Sequence, residues 1–269
     1  MKKILSLIVV FVLVLSLASC KRPGEDKKIM VGATSSPHAE ILKSDAVQNY
    51  LKSKGYTLEV IVYNNWRLLN KSLNDYALDA NYFQHTPYLN EDISAKGFKL
   101  SPACEVHNEP LNLYGKTSKT DFSNTIIYIV NDPTNVERAF ALLKAQGLID
   151  SYNANDFNPQ NPIYSSRINV EIKCLDATLL TRHVDEGSYA VIPGNYALTA
   201  WGTSKATNYK IFGESVEVAY PNIVAVRTED LGSEKTKVLV EALSQPEVKA
   251  YIEEKYGPTV NYTFKNLLE

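Results

Sequence analysis

The sequence predicts an α/β fold, in which a mainly parallel sheet is flanked by helices, and it predicts that this arrangement occurs twice. Two observations carry the prediction: strand-like and helix-like segments alternate along the chain, and the alternation begins again near residue 125. A chain of 269 residues is long enough to bury a core in each of two units. Because ligands bind such folds at the carboxyl ends of strands and between domains, functional residues are expected there.

The first unit begins with an apolar strand at residues 28–33 that stops at Ser35, Ser36 and Pro37. A helical pattern follows over residues 38–54, and Gly55 ends it. The alternation then predicts strands over residues 58–63, 77–82 and 100–106, with helices over residues 68–73 and 89–96.

The second unit opens with a strand at residues 125–130 and a helix that ends before Gly147. Apolar side chains recur in this helix at i, i+3, i+4 and i+7. The pattern then predicts strands over residues 168–174, 189–192 and 222–227, and helices over residues 177–184, 235–243 and 248–256.

Composition and charge exclude several classes of protein. Hydrophobic residues make up 45% of the chain, which is typical of a folded globular protein and excludes disorder as its main state. Lys and Arg number 28 against 30 Asp and Glu, so the chain has no basic surplus with which to neutralise phosphates. A nucleic-acid partner is therefore not expected.

The N-terminal segment is typical of a secretory signal. Two lysines follow Met1, and residues 4–18 are apolar apart from two serines, which is too short to span a bilayer but fits a signal-peptide core. The segment ends in Leu17, Ala18, Ser19 and Cys20, which resembles the lipobox of bacterial lipoproteins. An ordinary secretory signal with an incidental Cys20 is the alternative interpretation.

The lipobox resemblance implies that residues 1–19 are removed and that Cys20 is lipidated. Residues 20–28 are then a polar tether, and the protein is expected to be anchored to the cell membrane by its lipid, facing the periplasm or the cell exterior. No later run in the sequence is long and apolar enough to predict a membrane span.

Neither a metal site nor a cofactor is predicted. Cys104 and Cys174 are 70 positions apart and could form a disulfide or remain buried thiols. No zinc-type spacing relates them to the scattered histidines, which are His38, His85, His107 and His183.

One candidate binding residue follows the strand at residues 125–130. Thr134 and Glu137 have capping-box spacing with Asp132 just upstream, so a helix is expected to begin here with free N–H groups at its start. Arg138 is expected in the first turn, where its guanidinium could bind a carboxylate through two hydrogen bonds. The alternative is a surface arginine paired with a nearby acid.

A second candidate is an aromatic cluster after the strand at residues 77–82. Tyr82, Phe83, His85 and Tyr88 occur within seven residues, and Trp66 lies upstream. Aromatic faces contact a thioether or an aliphatic chain favourably, so this cluster could wall an apolar slot. The alternative is an ordinary core cluster.

Five blocks together resemble a known family. They occur in order along the chain as residues 36–39 (SPHA), 79–88 (DANYFQHTPY), 106–111 (VHNEPL), 131–135 (NDPTN) and 194–197 (GNYA). The chain is similar in these blocks to the NlpA/MetQ family, the methionine-binding lipoproteins of ABC importers, and the Cys20 lipobox is also typical of that family.

The resemblance implies a two-lobed periplasmic-binding-protein-like fold that closes around L-methionine and delivers it to an ABC permease and its ATPase. Residue by residue, it implies that Arg138 holds the substrate carboxylate and that asparagines bind the α-amino and α-carboxyl ends. The aromatic cage for the thioether corresponds to Trp66, Phe83, His85 and Tyr88, and the asparagines to Asn222 and to Asn195 in the GNYA block.

The resemblance also implies a division of the chain. The first lobe would consist of residues 29–112 and 220–269, and the second of residues 113–219. The two crossings near residues 111–114 and 219–222 would form the hinge, with the ligand cleft between the lobes.

Two departures from the family pattern concern the pocket. Pro193 stands where the family usually has an asparagine, and proline offers neither an amide side chain nor a backbone N–H. Trp66 stands where a tyrosine is usual, so a hydroxyl is replaced by a larger ring. A different cargo is therefore an open alternative: D-methionine, a methionine-containing dipeptide or another apolar amino acid.

An enzyme is not expected. A periplasmic lipoprotein hydrolase remains a remote alternative, but the sequence contains no Gly-x-Ser-x-Gly motif, and neither His85 nor His107 has a nucleophile beside it in the sequence. A structural or adhesive surface lipoprotein is a further alternative, and it would need no polar residues converging on a cleft.

Overall fold

The computed structural model describes residues 27–118, 120–153, 158–215 and 220–268. The predicted signal peptide, Cys20 and most of the predicted tether lie outside these described residues. Thirteen strands lie within them: β1 (Lys28–Ala33), β2 (Thr57–Val62), β3 (Ala80–His85), β4 (Leu100–Asn108), β5 (Asn112–Tyr114), β6 (Ile126–Val130), β7 (Ser151–Asn153), β8 (Ile163–Ser165), β9 (Glu171–Leu175), β10 (Tyr189–Ile192), β11 (Lys210–Gly213), β12 (Pro221–Arg227) and β13 (Asn261–Asn266).

The longer helices of the described chain alternate with these strands. In chain order they are α1 (Asp45–Ser53), α2 (Leu69–Asn74), α3 (Thr86–Lys96), α4 (Pro133–Ala145), α5 (Ala177–Asp185), α6 (Gly194–Tyr209), α7 (Glu234–Leu243) and α8 (Pro246–Tyr256). Shorter helical turns occur at Ser35–Ala39, Glu40–Leu42 and Trp66–Leu68.

Two sheets form two lobes. The first sheet has six strands in the order β13-β4-β12-β3-β1-β2, and the second has five in the order β11-β5-β10-β6-β9. The strands of each sheet therefore come from one contiguous stretch of the chain. The exceptions are β12 and β13, which lie near the end of the chain and return to the first sheet. This is the predicted two-lobed α/β fold.

Parallel pairing is confined to one side of each sheet and reaches its edge strand, β2 in the first sheet and β9 in the second. Strands β1, β2 and β3 pair in parallel, as do β6, β9 and β10. Strand β12 runs antiparallel to both β3 and β4, and β5 runs antiparallel to both β10 and β11, so the sheets are mixed. The antiparallel strands are those next to the points where the chain passes between the sheets.

Apolar clusters cover both faces of each sheet. In the first lobe, α1, α7 and α8 pack on one face and α2 and α3 on the other. In the second lobe, α4 packs on one face and α5 and α6 on the other. Each sheet is buried on both sides, because its helices supply the apolar faces that its strands need.

The helix predicted over residues 38–54 is interrupted. A short helical segment ends at Leu42, and α1 begins only after Ser44, whose hydroxyl oxygen accepts the N–H of Val47 at 3.4 Å. Serine is a preferred N-cap residue, and the side-chain bond here starts a new helix inside one apolar pattern.

The strand predicted over residues 77–82 lies three positions further along, at β3. All six residues of β3 are buried, although Asn81 and Gln84 are polar. The side chain of the buried Asn70 satisfies both amides, accepting from Asn81 at 2.9 Å and from Gln84 at 2.7 Å. These long-range hydrogen bonds allow polar residues to occupy a central strand, which the hydrophobic pattern did not indicate.

The chain crosses between the sheets near the predicted hinge. Strand β4 of the first sheet ends at Asn108 and β5 of the second begins at Asn112, while the return passes from β11 to β12. The predicted second crossing includes Ala219, which lies outside the described residues. The exact lobe boundaries remain a prediction.

Cys104 and Cys174 are free thiols in this structure, Cys104 buried in β4 and Cys174 half-buried in β9. They lie in different sheets, so the disulfide alternative is not realised. None of the helices in the described ranges combines the length and the hydropathy needed to cross a membrane.

Candidate functional site

One cleft between the two sheets contains every predicted binding residue. Its volume is about 560 Å³, including space that is open to solvent, and it is lined from both lobes. The predicted residues on its walls are Trp66, Phe83, His85, Tyr88, Arg138, Asn195 and Asn222. The cleft also contains residues that the sequence did not single out as ligands, among them Thr34, Glu109, Asp132, Asn135 and Tyr196.

The aromatic residues form one wall of the cleft. The ring of Tyr88 meets Trp66 edge-on at a centroid distance of 4.9 Å and Phe83 at 6.0 Å. All three rings are buried against the apolar cluster that includes Leu69 and Leu89. The aromatic cluster is therefore both a part of the core and a wall of the cleft.

His85 begins helix α3 and faces the second lobe. Its Nδ1 accepts the backbone N–H of Tyr88 at 3.2 Å, so the proton of the neutral ring lies on Nε2, which donates to Asn135 Oδ1 at 3.3 Å. Burial, together with the nearby charge of Arg138, lowers the pKa of His85 to about 3. The ring is therefore neutral and has both nitrogens in hydrogen bonds.

Helix α4 begins at the cleft, but its N-cap is Asp132 rather than Thr134. The Asp132 carboxylate accepts the backbone N–H of Asn135 at 3.0 Å, and Thr134 donates its hydroxyl to the same carboxylate at 2.9 Å. Pro133 occupies the first helical position, where proline is favoured, and this moves the start of the helix two residues earlier than capping-box spacing predicts.

Arg138 is buried on α4, beyond the first turn in which the sequence placed it. Its Nε and Nη2 donate to the two carboxylate oxygens of Glu214 at 3.0 and 2.6 Å. Its Nη1 donates to Asn135 Oδ1 at 3.0 Å, and Nη2 also donates to the carbonyl oxygen of Glu109 at 3.4 Å. Arg138 is thus paired with an acid, as the alternative interpretation expected, but in the wall of the cleft rather than at the surface.

These contacts fix the orientation of the guanidinium. Four of its five N–H groups donate to described residues, and one Nη1 N–H has no partner among them. Asn135 links the two candidate residues of this region, since its Oδ1 accepts from both His85 and Arg138. Only the short NDPTN block pointed to Asn135 in the sequence.

The two asparagines lie on opposite sides of the cleft. Asn222 is buried in β12, and its Oδ1 lies 3.0 Å from Nε2 of His38. Asn195 is half-buried in the first turn of α6, directly after Pro193 and Gly194. The backbone N–H of Asn195 donates to the carboxylate of Glu109.

A buried network of His38, His107 and Glu109 supports the floor of the cleft. Glu109 Oε1 lies 2.7 Å from His107 Nε2 and 3.4 Å from His38 Nε2. Thr34 hydrogen-bonds His38 Nδ1 at 2.8 Å, and the hydroxyl of Tyr82 hydrogen-bonds His107 Nδ1. Because each Nε2 faces only acceptors, both rings carry their proton on Nε2 and donate it.

The same three side chains are the group that lies close enough together, within the described ranges, to hold a metal ion. The 2.7 Å separation of nitrogen and oxygen fits a hydrogen bond. Two ligand atoms on one tetrahedral zinc ion, each about 2.0–2.2 Å from it, would lie farther apart. The geometry therefore favours the hydrogen-bonded network over a metal centre.

Arg67 joins the two lobes at the edge of the cleft. Its Nη1 donates to Asp176 at 2.6 Å and its Nη2 to Asn131 at 3.0 Å, both in the second lobe. Its guanidinium lies over the Trp66 ring at 4.4 Å from the centroid. Sequence patterns did not indicate Arg67, because both of its polar partners lie more than 60 positions away.

Acid is expected to destabilise this protein steeply. Burial lowers the pKa of His38 to about 4 and those of His85 and His107 to about 3, against 6.5 for a free imidazole. Below pH 6.5 the unfolded state binds more protons, so the free energy of unfolding should fall toward pH 4 by up to about 1.4 kcal/mol per pH unit for each histidine. Burial raises the pKa of Glu109, which offsets part of this loss.

Urea unfolding at pH 7, 6 and 5 measures this slope. His85→Asn removes one titrating ring but keeps a residue that caps helices well. The free energy of unfolding of this variant should therefore change less steeply with pH, by the amount that corresponds to about one bound proton. Equal slopes in the two proteins would contradict the lowered pKa of His85.

Comparison with known proteins covers nearly the whole chain. The family model described as NlpA lipoprotein matches residues 29–263. The methionine-binding lipoprotein MetQ of Bacillus subtilis is 36% identical over 273 residues, covering 97% of this chain and 98% of that protein. The D-methionine-binding lipoprotein MetQ of Salmonella typhi is 31% identical, covering 87% of this chain and 88% of the relative.

Solved structures agree with these relatives. A nutrient binding protein from Burkholderia cenocepacia, bound to methionine, aligns with a TM-score of 0.79 at 32% identity, covering 88% of this chain and 100% of that one. A periplasmic substrate-binding protein of an ABC transporter from Coxiella burnetii aligns with a TM-score of 0.77 at 28% identity, covering 87% and 100%. The resemblance carried by the five sequence blocks is confirmed, and this chain belongs to the NlpA lipoprotein family.

Proposed function

We propose that this chain is the substrate-binding lipoprotein of an ABC importer and that it captures L-methionine in the cleft between its lobes. The observation that carries the proposal is the convergence, in one cleft, of an aromatic wall, a buried arginine and two asparagines from both lobes. The relatives and structural neighbours described as methionine-binding or as ABC substrate-binding proteins support it.

The chemistry of the walls matches the two ends of the ligand. The Arg138 guanidinium and the Asn222 amide bind the α-carboxylate, because charge-assisted hydrogen bonds from such donors are strong in a cleft that excludes water. Asn195 binds the polar end from the second lobe. The rings of Trp66, Phe83 and Tyr88 contact the thioether side chain, since sulfur and aromatic rings attract one another.

Binding is coupled to closure of the lobes. A ligand held by Asn222 from the first lobe and by Arg138 from the second bridges them, so it stabilises the closed arrangement over any open one. The hydrogen bonds from Arg67 to Asp176 and Asn131 also join the two lobes, so they too stabilise the closed arrangement. The closed, loaded protein is the form that an importer permease would receive.

The geometry favours binding over hydrolysis. His85 is the one imidazole that lines the cleft in the described chain, and its two nitrogens are engaged by Tyr88 and Asn135. Its lowered pKa also makes it a poor base near neutral pH. A ring held in this way contributes to the shape of the wall.

Methionine is expected to raise the melting temperature. A ligand that binds only the folded state adds about 2.7 kcal/mol of stability at a concentration 100-fold above its Kd. Arg138→Ala should weaken binding by about 10- to 150-fold, the cost of losing a hydrogen bond to a charged group. Differential scanning fluorimetry and isothermal calorimetry would measure both effects.

Controls separate binding from folding. Because Arg138→Ala leaves the buried Glu214 carboxylate without its partner, the double variant Arg138→Ala/Glu214→Gln tests binding without that penalty. Arg182→Ala removes an exposed arginine from α5 and should keep the full shift. The ligand assignment fails when L-methionine, D-methionine and methionine dipeptides all leave the wild-type melting curve unchanged.

A different cargo within the same role is favoured by two residues of the cleft. Pro193 lines the cleft, and the indole N–H of Trp66 is buried without a partner among the described residues. An unpaired donor could serve a cargo with an additional acceptor, such as the peptide carbonyl of a dipeptide. Mass spectrometry of ligand released from denatured protein decides: methionine alone supports the first proposal, and a dipeptide or another amino acid supports this one.

Membrane anchoring through Cys20 gives a further prediction. Cells grown with radiolabelled palmitate should label the wild-type protein, whereas Cys20→Ser should carry no label and leave the membrane fraction, because the thiol is the attachment point of the lipid. Cys104→Ser, a change at a buried core thiol, should keep the label. A Cys20→Ser protein that remains labelled and membrane-bound would contradict the lipobox interpretation.

A further inference from the structure

Glu109 is a buried carboxylate that lines the cleft. The nearby charge of Arg138 favours its ionised form, but no lysine or arginine of the described residues forms an ion pair with it. Two carboxyl groups and one guanidinium line the cleft: Glu109, Asp132 and Arg138. Arg138 is paired with Glu214, and Asp132 caps helix α4. The ion-pair partners of Glu109 within the described ranges are only His38 and His107.

Those histidines hold the carboxylate without neutralising it. Burial lowers the pKa of His38 to about 4 and that of His107 to about 3, so both rings are neutral near pH 7 and act as N–H donors. Burial raises the pKa of Glu109 and so favours its neutral form, and an opposite charge beside the carboxylate would stabilise its ionised form most.

The second carboxylate oxygen is directed toward the second lobe. Both histidines contact Oε1, whereas Oε2 lies 3.0 Å from the position that a Cβ on Gly194 would occupy. The absence of a side chain at Gly194 lets the carboxylate approach the start of α6, where the N–H of Asn195 donates to it. Glu109 is therefore held from both lobes, at the point where the chain crosses between them.

Glu109 also lies next to the predicted carboxylate site. Nη2 of Arg138 donates to the backbone carbonyl of Glu109 at 3.4 Å, and His38 contacts both Glu109 and Asn222. In an α-amino acid one carbon separates the carboxylate from the ammonium group. A ligand carboxylate bound near Arg138 and Asn222 consequently brings its ammonium group into the neighbourhood of Glu109.

We propose that Glu109 is the counter-ion that recognises the α-ammonium group of the ligand and thereby selects free amino acids over their des-amino analogues. This inference rests on the proposed amino-acid-binding function, and it adds a specificity residue that sequence reasoning missed. Two asparagines alone would not distinguish an ammonium group from a neutral substituent as strongly, because an amide oxygen carries no full charge.

Calorimetry with two ligands tests the proposal. L-Methionine and 4-(methylthio)butanoate differ only in the α-ammonium group, so the ratio of their Kd values isolates its recognition. Wild-type protein should prefer methionine strongly. Glu109→Gln should weaken methionine binding by about 10- to 150-fold and leave binding of the butanoate unchanged or tighter, so that the ratio falls by that factor.

Asp132→Asn is the matched control. It removes the other carboxylate of the cleft, but asparagine still caps helices well, so the methionine preference should remain. A preference lost in Asp132→Asn and kept in Glu109→Gln would assign the ammonium group to Asp132 and overturn the proposal. Equal weakening of both ligands by Glu109→Gln would also overturn it, because that outcome indicates a structural role.

The ratio of the two Kd values in the wild-type protein tests the proposal even if Glu109→Gln does not fold. Equal affinity of the wild-type protein for methionine and for the butanoate would overturn the proposal without any variant. A wild-type protein that binds neither compound refutes the proposed methionine-binding function, and the role of Glu109 in it. A wild-type protein that prefers methionine, with an equal preference in folded Glu109→Gln, refutes the role of Glu109 alone.

Discussion

The carboxylate of Glu109 is the constraint on which the cleft depends. It lies where the chain leaves the first sheet for the second. It accepts hydrogen bonds from His107 and from the N–H of Asn195, and its Oε1 lies 3.4 Å from His38 Nε2. These contacts join residues of both lobes at the floor of the cleft. Because the group is buried, each missing donor would leave a costly unpaired polar atom, so the surrounding geometry is held tightly.

A second buried charge organises the opposite wall. Glu214 binds the fork of Arg138 through two hydrogen bonds and also accepts the backbone N–H of Leu111 at 2.8 Å. This pair is expensive to desolvate, and its value lies in orientation more than in stability. It holds the guanidinium in one orientation, so in the proposed methionine site this donor would already be in place and binding would impose less ordering.

Local patterns in the sequence predicted much of the fold. Apolar periodicity located β1, β10 and α5 within about one residue, because their side chains pack against their own sheet. The elements that the sequence patterns did not predict depend on residues far away in the chain or on an irregular backbone. Strand β13 forms by pairing with β4, and helix α6 contains a kink at Gly202 that interrupts its periodicity. The start of β3 was misplaced because Asn70 satisfies its polar residues from another element.

The sequence by itself determined the family and the two α/β units, because local blocks and local periodicity carry them. It also indicated the cleft-lining residues, which are Trp66, Phe83, His85, Tyr88, Arg138, Asn195 and Asn222. Only the tertiary structure decided how they are held. Glu214 lies 76 positions beyond Arg138, and Asn222 lies 184 positions beyond His38. Hydrogen bonds and ion pairs act over a few ångströms in space, whatever the separation in sequence, so the partners that set charge and orientation in the cleft could be identified only once the chain was folded.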